Sequence, residues 1–286
     1  MSDHVSWVKG HGTENDFVLL PDPDGHVHGR LEPGLVAALC HRRRGIGADG
    51  VLRVIRSQAY DDPSARQAAA AGAEWFMDYR NADGSVSEMC GNGVRVFARY
   101  LVHAGLVDGV APVAIGSRDG VKTARFQADG AISVDMGSAR VLDPVTVGVA
   151  ARQLPAIEVD VGNPHAVAVV GSLAEAGPLL EAPWHDPDAF PDGVNVEFVV
   201  RTGARSVAMR VHERGAGETR SCGTGACAVG AAVAVGDGLD LPVDLDVQVT
   251  GGDLVVSVRA GDEAGTVGVA LTGPAELVAQ GTWPLT

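Results

Sequence analysis

Apolar residues come in short, Val-rich bursts along the second half of the chain. His165–Val170, Val196–Val200, Val207–Val211, Val243–Val249, Leu254–Val258 and Val267–Leu271 are separated mostly by turn-forming residues, which predicts strands. Two stretches have a different period. After Cys90, apolar residues fall at Val94, Phe97, Ala98 and Leu101, the i, i+3, i+4, i+7 spacing of a helix with a buried face, and Gly105 suits its C-terminal stop. After Cys222, the run Ala226–Val235 is apolar on every side, so a helix there must be enclosed. Long amphipathic helices are otherwise few, and the chain reads as a sheet-dominated α+β protein. The stretch "SQAYDDPSARQAAAAGAEW", Ser57–Trp75, is Ala-rich and polar with no strand period. It is expected to be an insertion or mobile loop between two strands.

The two helical stretches share what precedes them. "MDYRNADGSVSEM" leads to Cys90 and "MRVHERGAGETRS" to Cys222; each opens like a strand, passes a Gly-containing loop and reaches Cys-Gly-x-Gly. Asn81 lies nine residues before Cys90, and Glu213 nine before Cys222. Further upstream, "GTENDFVLL" (Gly12–Leu20) and "GNPHAVAVV" (Gly162–Val170) each enter a strand through a polar turn, with Asn15 and Asn163 in matching places. Three matches in one order predict a duplicated unit whose halves face each other about a pseudo-two-fold axis.

At 286 residues and 46% hydrophobic, the chain has ample material for one large or two smaller cores. The net charge of −14 argues against nucleic-acid binding, which wants a basic stripe; the one basic cluster, His41–Arg44, is short and reads as a solvated turn. No stretch reaches the ~20 apolar residues of a membrane span, and "MSDHVSWVKG" lacks a signal-peptide apolar region. A cytoplasmic protein with no membrane or nucleic-acid partner is expected. Four cysteines make no disulfide framework at this size, and none forms a C-x-x-C pair, so no metal site is expected.

The chemistry concentrates at the two Cys-Gly-x-Gly turns. A helix N-terminus offers unpaired N–H groups and the positive end of the dipole, a natural seat for a carboxylate. The same field favours thiolate over thiol. Two such turns facing each other would hold one substrate carboxylate between them, with a sulfur on each face of the adjoining carbon. One would remove the α-proton and the other deliver a proton to the opposite face, inverting the centre. Only two lysines occur, Lys9 and Lys122, and neither sits beside a phosphate-binding loop, so a cofactor-free mechanism suits the composition better than pyridoxal phosphate. Cys40 and Cys227 are expected to be small buried hydrophobes.

The stretches "KGHGTENDFV", "NADGS" with "MCGNGVRVFARY", "GNPHAV", "VNVEFV" and "ERGAGETRSCGTGACA" are spread over most of the chain and together resemble diaminopimelate epimerases. The resemblance implies two domains, each a curved mixed sheet or barrel wrapped around a central helix, with the active site in the cleft between them. The expected halves are residues 1–136 with 274–286, and residues 137–273. It implies interconversion of LL- and meso-diaminopimelate, a small-molecule substrate of the lysine and peptidoglycan pathway, with no cofactor or metal, by a cytoplasmic homodimer. Carried over residue by residue, it makes Cys222 the proton acceptor and Cys90 the donor in the LL-to-meso direction. His165 and Glu213 match residues needed for activity. Asn15, Asn81, Asn163, Asn195, Glu213 and Arg214 match substrate-binding positions, and Gly91, Asn92, Gly223 and Thr224 match backbone donors to the reacting carboxylate. One departure is Gly50, where many members carry Gln. Other readings stay open: a two-thiol racemase of the proline or hydroxyproline type, a Cys/His hydrolase with Cys222 as nucleophile and His165 as base, and a non-catalytic amino-acid-binding protein.

Overall fold

The computed structural model describes residues 4–284. The expected half that runs to residue 286 therefore loses residues 1–3 and 285–286, which lie outside the described part. The chain divides into two compact units, residues 1–134 with 274–286, and residues 135–273.

In chain order the first unit contains β1 (His4–Gly12), β2 (Asn15–Pro21), α1 (Pro33–Cys40), β3 (Gly50–Arg56), α2 (Pro63–Ala70), β4 (Trp75–Asn81), α3 (Gly91–His103), β5 (Val113–Ser117) and β6 (Gly120–Phe126). β7 (Ile132–Val149) carries the chain into the second unit. There follow β8 (Arg152–Asp160), β9 (Pro164–Val169), β10 (Trp184–His185), β11 (Asn195–Gly203), β12 (Ser206–Glu213), β13 (Gly217–Thr219), α4 (Gly223–Gly236), β14 (Val243–Val249), β15 (Gly252–Ala260) and β16 (Val267–Gly273). The last strand, β17 (Glu276–Pro284), returns to the first unit beside β1.

Each unit repeats one pairing scheme. In the first, β17–β1 and β1–β2 are antiparallel, β2–β3 parallel, β3–β4 antiparallel, β4–β5 parallel, and β5–β6 and β6–β7 antiparallel. In the second, β7–β8 and β8–β9 are antiparallel, β9–β11 parallel, β11–β12 antiparallel, β12–β14 parallel, and β14–β15 and β15–β16 antiparallel. β16 also pairs with β7, which closes the second ring. The internal repeat seen in the sequence is thus a repeat of topology, and the six predicted strands of the second half all form, each within a few residues of its expected ends.

Both central helices sit inside their sheets. α3 contacts all seven strands β1–β6 and β17, and α4 contacts β8, β9, β11, β14, β15 and β16. The apolar circumference of α4 follows from that enclosure: Ala226, Cys227, Ala228, Val229, Ala231, Val233 and Ala234 are all buried. The approach is close enough that a Cβ at Gly230 would meet Val256 Cγ1 of β15 at 2.5 Å. The mixed α+β architecture agrees with the expectation from composition. Cys40 and Cys227 are core residues as expected, and burial pushes the Cys40 thiol up to about 12. Among the described residues no helix is long and apolar enough to cross a membrane.

The Ser57–Trp75 stretch does connect two strands, β3 and β4, as an insertion would, but it is folded and not a mobile loop. Ser57–Ala59 forms a 3-10 turn, and α2 begins at Pro63, where a missing N–H is harmless, capped by the Asp62 side chain accepting from the Ser64 N–H at 2.8 Å. Ala65 and Ala68 are buried, and α2 packs on β4, β5 and β6.

Candidate active-site turns

Cys90 is the N-cap of α3, in extended backbone geometry, and its Sγ accepts from the Gly93 N–H at 3.4 Å. β4 ends at Asn81, whose amide turns back to Ser85 Oγ at 3.0 Å, and the loop from 82 to 89 delivers the cysteine. From the start of β2, Asn15 Oδ1 accepts from the Cys90 thiol at 3.5 Å and from Asn92 Nδ2 at 3.2 Å. Asn92 is fully buried, and its Oδ1 accepts from Arg95 at 2.9 Å. The Asn92 side chain is therefore committed to Asn15 of β2 and Arg95 of α3, so its contribution to a ligand is its backbone N–H.

Asn15 is oriented from behind. Its Nδ2 donates to Asp49 Oδ2 at 2.8 Å, which leaves Oδ1 to face the thiol. Asp49 belongs to a compact ionic group: Arg42 donates to Asp49 at 2.6 Å and through both terminal nitrogens to Asp16 at 2.9 Å, and Lys9 reaches Asp16 at 2.9 Å. Burial alone would raise the Asp16 carboxyl, but the hydrogen bonds and charges of Arg42 and Lys9 outweigh it and bring the pKa from 3.8 to about 2. A carboxylate depressed in the folded state stabilises above its unfolded pKa and loses that contribution as pH falls through the folded value. We expect the melting temperature of the wild type to fall between pH 4 and 2 more steeply than that of Asp16→Asn, measured by circular dichroism at fixed ionic strength.

The second unit builds the corresponding turn with different neighbours. Cys222 is the N-cap of α4, its Sγ accepting from the Gly225 N–H at 3.3 Å, with Thr224 Oγ1 at 3.5 Å. Glu213 ends β12, accepts from the Thr219 hydroxyl and hydrogen-bonds the Cys222 thiol. The helix-end field was expected to favour thiolate here. The opposite holds: burial first, then the Glu213 and Glu197 carboxylates, push the Cys222 thiol up, against the smaller effect of Thr224 and the Gly225 N–H. Glu213 is itself raised, chiefly by burial.

His165, on β9, is fully buried with Nδ1 2.7 Å from Glu197 Oε1 and Nε2 3.1 Å from Asn163 Oδ1. Asn195 at the start of β11 spends both ends of its amide on backbone, donating to the Pro164 carbonyl at 3.0 Å and accepting from the Arg214 N–H at 3.0 Å. The Arg214 guanidinium donates to the Asp192 carbonyl at 3.1 Å. Gly91 and Gly223 open the first turns of α3 and α4. Two further residues emerge only from the structure, Asp49 and Glu197. Glu197 had a visible sign, a lone acid inside the apolar run "VNVEFVV".

The sequence profile described as Diaminopimelate epimerase matches residues 7–142 and 157–278. The chain belongs to the diaminopimelate epimerase family. As a member it is an isomerase. It is 55% identical to the diaminopimelate epimerase of Streptomyces coelicolor, covering 98% of this chain and 96% of that one. It is 50% identical to the Thermobifida fusca enzyme of the same name, covering 97% of each chain. In structure it resembles a Bacillus anthracis phenazine biosynthesis protein of the PhzF family, with TM-score 0.72 at 16% identity, over 99% of both chains. It also resembles a hydroxyproline epimerase from Agrobacterium vitis, with TM-score 0.70 at 15% identity, over 99% of this chain and 93% of that one. These two likenesses concern the fold. Both cysteine turns fall inside the residues that match the diaminopimelate epimerase family.

Proposed function

We propose that the chain interconverts LL- and meso-diaminopimelate by a two-thiol mechanism without a cofactor, in the cytoplasm, as a homodimer serving lysine and peptidoglycan precursor synthesis. In this reading the two units are the two epimerase halves, and each supplies one cysteine turn to the reaction. The observation that carries it is the pair of N-cap cysteines, each heading the enclosed helix of one topological repeat, each with a helix-end N–H on its sulfur.

The Gly91-Asn92 and Gly223-Thr224 turns hold the reacting carboxylate. Their N–H groups stabilise the charge that builds on it as the α-proton leaves; a preorganised donor of this kind contributes about 3–4 kcal/mol in comparable sites. In the LL-to-meso direction Cys222 takes the α-proton and Cys90 returns one to the opposite face. The elevated Cys222 thiol fits this sequence of events. Without substrate, the Glu213 carboxylate disfavours the thiolate. When the α-ammonium arrives beside Glu213, its positive charge offsets that carboxylate, and the base forms where and when a proton is to be removed. Asn15, Asn81, Asn163, Asn195 and Arg214 line the rest of the substrate, with the arginine fork suited to the distal carboxylate.

The test is α-proton exchange. In heavy water, LL-diaminopimelate incubated with the protein should gain one deuterium at the inverted α-carbon, with no pyridoxal phosphate added, while proline should gain none. Exchange into proline with diaminopimelate untouched would transfer the reading to a racemase of the proline type. A covalent acyl-enzyme with no exchange would transfer it to a hydrolase.

A further inference from the structure

The two topological repeats can be aligned through their registers, and the alignment exposes a difference behind the two cysteines. In the first unit Phe17 of β2 lies opposite Gly50 of the parallel neighbour β3, and Gly50 is opposite Asn81. In the second, His165 of β9 lies opposite Asn195 of β11, and Val196 opposite His212 sets Asn195 level with Glu213. Asn15 and Asn163 each stand two residues before the first member. His165 is therefore the counterpart of Phe17, and Glu197, two residues past Asn195, the counterpart of Leu52.

Phe17, Leu52 and Glu197 back the two cysteine turns, and His165 joins them through Glu197. A Cβ at Gly93, in the first turn of α3, would lie 3.5 Å from Leu52 Cδ2 and 3.6 Å from Phe17 Cζ. A Cβ at Gly225, in the first turn of α4, would lie 2.7 Å from Glu197 Oε1. The Cys90 turn is backed by a hydrocarbon pair, and the Cys222 turn by a buried His–carboxylate pair. Glu197 is fully buried, and among the described residues its Oε2 has no hydrogen-bond partner. A buried carboxylate oxygen left unpaired is costly, and an apolar pair at the same two positions is already shown to work in the sister unit. Its presence therefore calls for a role beyond stability.

We propose that Glu197 is a positioning residue that makes the two cysteine stations chemically unequal, by fixing the His165 ring and setting a negative charge behind the Cys222 turn where the Cys90 turn has Leu52. The inference deepens the epimerase reading and rests on it for the work done by the two sulfurs. The ionisable groups around Cys222 are Glu213 from β12, Glu197 from β11 and His165 from β9. Glu213 touches the thiol and belongs to the binding machinery. Glu197 acts from behind, through charge and through the ring it holds.

A readout that needs no substrate separates this inference from the reaction. The full chain, substrate-free, is alkylated with iodoacetamide over a range of pH, and Cys90 and Cys222 are quantified on separate peptides by mass spectrometry. Only the thiolate reacts, so each rate rises through that thiol's titration. Removing the Glu197 charge in Glu197→Gln should lower the Cys222 midpoint by about one pH unit while the Cys90 midpoint stays in place. Glu197→Leu, which copies Leu52, should move it the same way. An unmoved Cys222 midpoint, or equal movement at both cysteines, would overturn the proposal. Loss of the near-ultraviolet circular dichroism in both variants would overturn it too, by making Glu197 structural. Absence of α-proton exchange in the wild type, with the Cys222 shift intact, would remove the epimerase reading and leave the asymmetry standing.

Discussion

Cys222→Ala and Cys90→Ala should each lower kcat/KM for epimerisation by about 10³-fold or more, in both directions. A positioned acid or base contributes about 10²–10⁴-fold, and the α-proton of an amino acid is too weakly acidic to leave without one. Equal loss in the two directions is required because neither variant can change the equilibrium between the stereoisomers. The variants should fold: the helix-capping N–H contacts to the two sulfurs are long, 3.3–3.4 Å, and losing such a cap costs about 1 kcal/mol, with the lost thiol bonds to Asn15 and to Glu213 adding to it. The neighbouring Cys227→Ala is the control. It lies in the same helix, fully buried, and should cost stability with kcat/KM near wild type. Steady-state rates by polarimetry, with the melting temperature of each variant, decide the matter. A Cys90 or Cys222 variant within tenfold of wild type would remove the two-thiol mechanism.

The pH profile of the wild type carries the same logic. If Cys222 is held as a thiol in the free enzyme, kcat/KM for the LL-isomer should still be climbing above neutral pH, since the reactive form carries the thiolate. Substrate binding relieves part of that restraint, so the limb in kcat should lie at lower pH than the limb in kcat/KM.

How much of this was legible before the structure is best judged residue by residue. The two cysteine turns were, because helix-capping geometry is local: Cys-Gly-x-Gly followed by an apolar run has few other solutions. The second-half strands were legible for the same reason, since alternation along one segment reports its own face. Helix α2 was not. Its start signals, Asp62 and Pro63, stood in plain view, but its buried face consists of Ala65 and Ala68 alone, too small a stripe to produce a helical period. Glu197 was hidden for a different reason. Its partner His165 is 32 residues away, and only the parallel pairing of β9 with β11 brings them to 2.7 Å. The direction at Cys222 was not legible because a helix dipole is a property of one element, whereas burial and two carboxylates are contributed by the strands around it. Asn195 shows the same limit: the fold gives each end of its amide a backbone partner, Pro164 and Arg214, across strands that no local pattern brings together.

Outside the cysteine turns, the largest expected loss is in stability, at Asp22. This carboxylate is fully buried at the end of β2, the strand that begins with Asn15, and Arg53 of β3, 2% exposed, donates to it through Nε at 2.9 Å and through a terminal nitrogen at 2.5 Å. Asp22 also accepts from the Val27 and His28 N–H groups at 2.9 and 3.1 Å, so it organises the loop leading to α1. Burial would raise its pKa; the backbone N–H of Val27 and the Arg53 charge outweigh that and hold it below the usual carboxylate value. Asp22→Ala would leave Arg53 charged and buried with, among the described residues, the Gly29 carbonyl at 2.7 Å as its remaining acceptor. Breaking such a pair on one side costs about 3–5 kcal/mol, whereas replacing both partners by apolar residues is often close to neutral. The double variant Asp22→Leu/Arg53→Met should therefore recover the part of the loss due to the stranded charge. It should not recover the part due to the two backbone donors, about 1 kcal/mol each. Thermal unfolding of the three proteins at pH 7 should place the double variant between Asp22→Ala and wild type. A double variant no more stable than Asp22→Ala would mean that the backbone contacts, and not the ion pair, carry the stabilisation at this site.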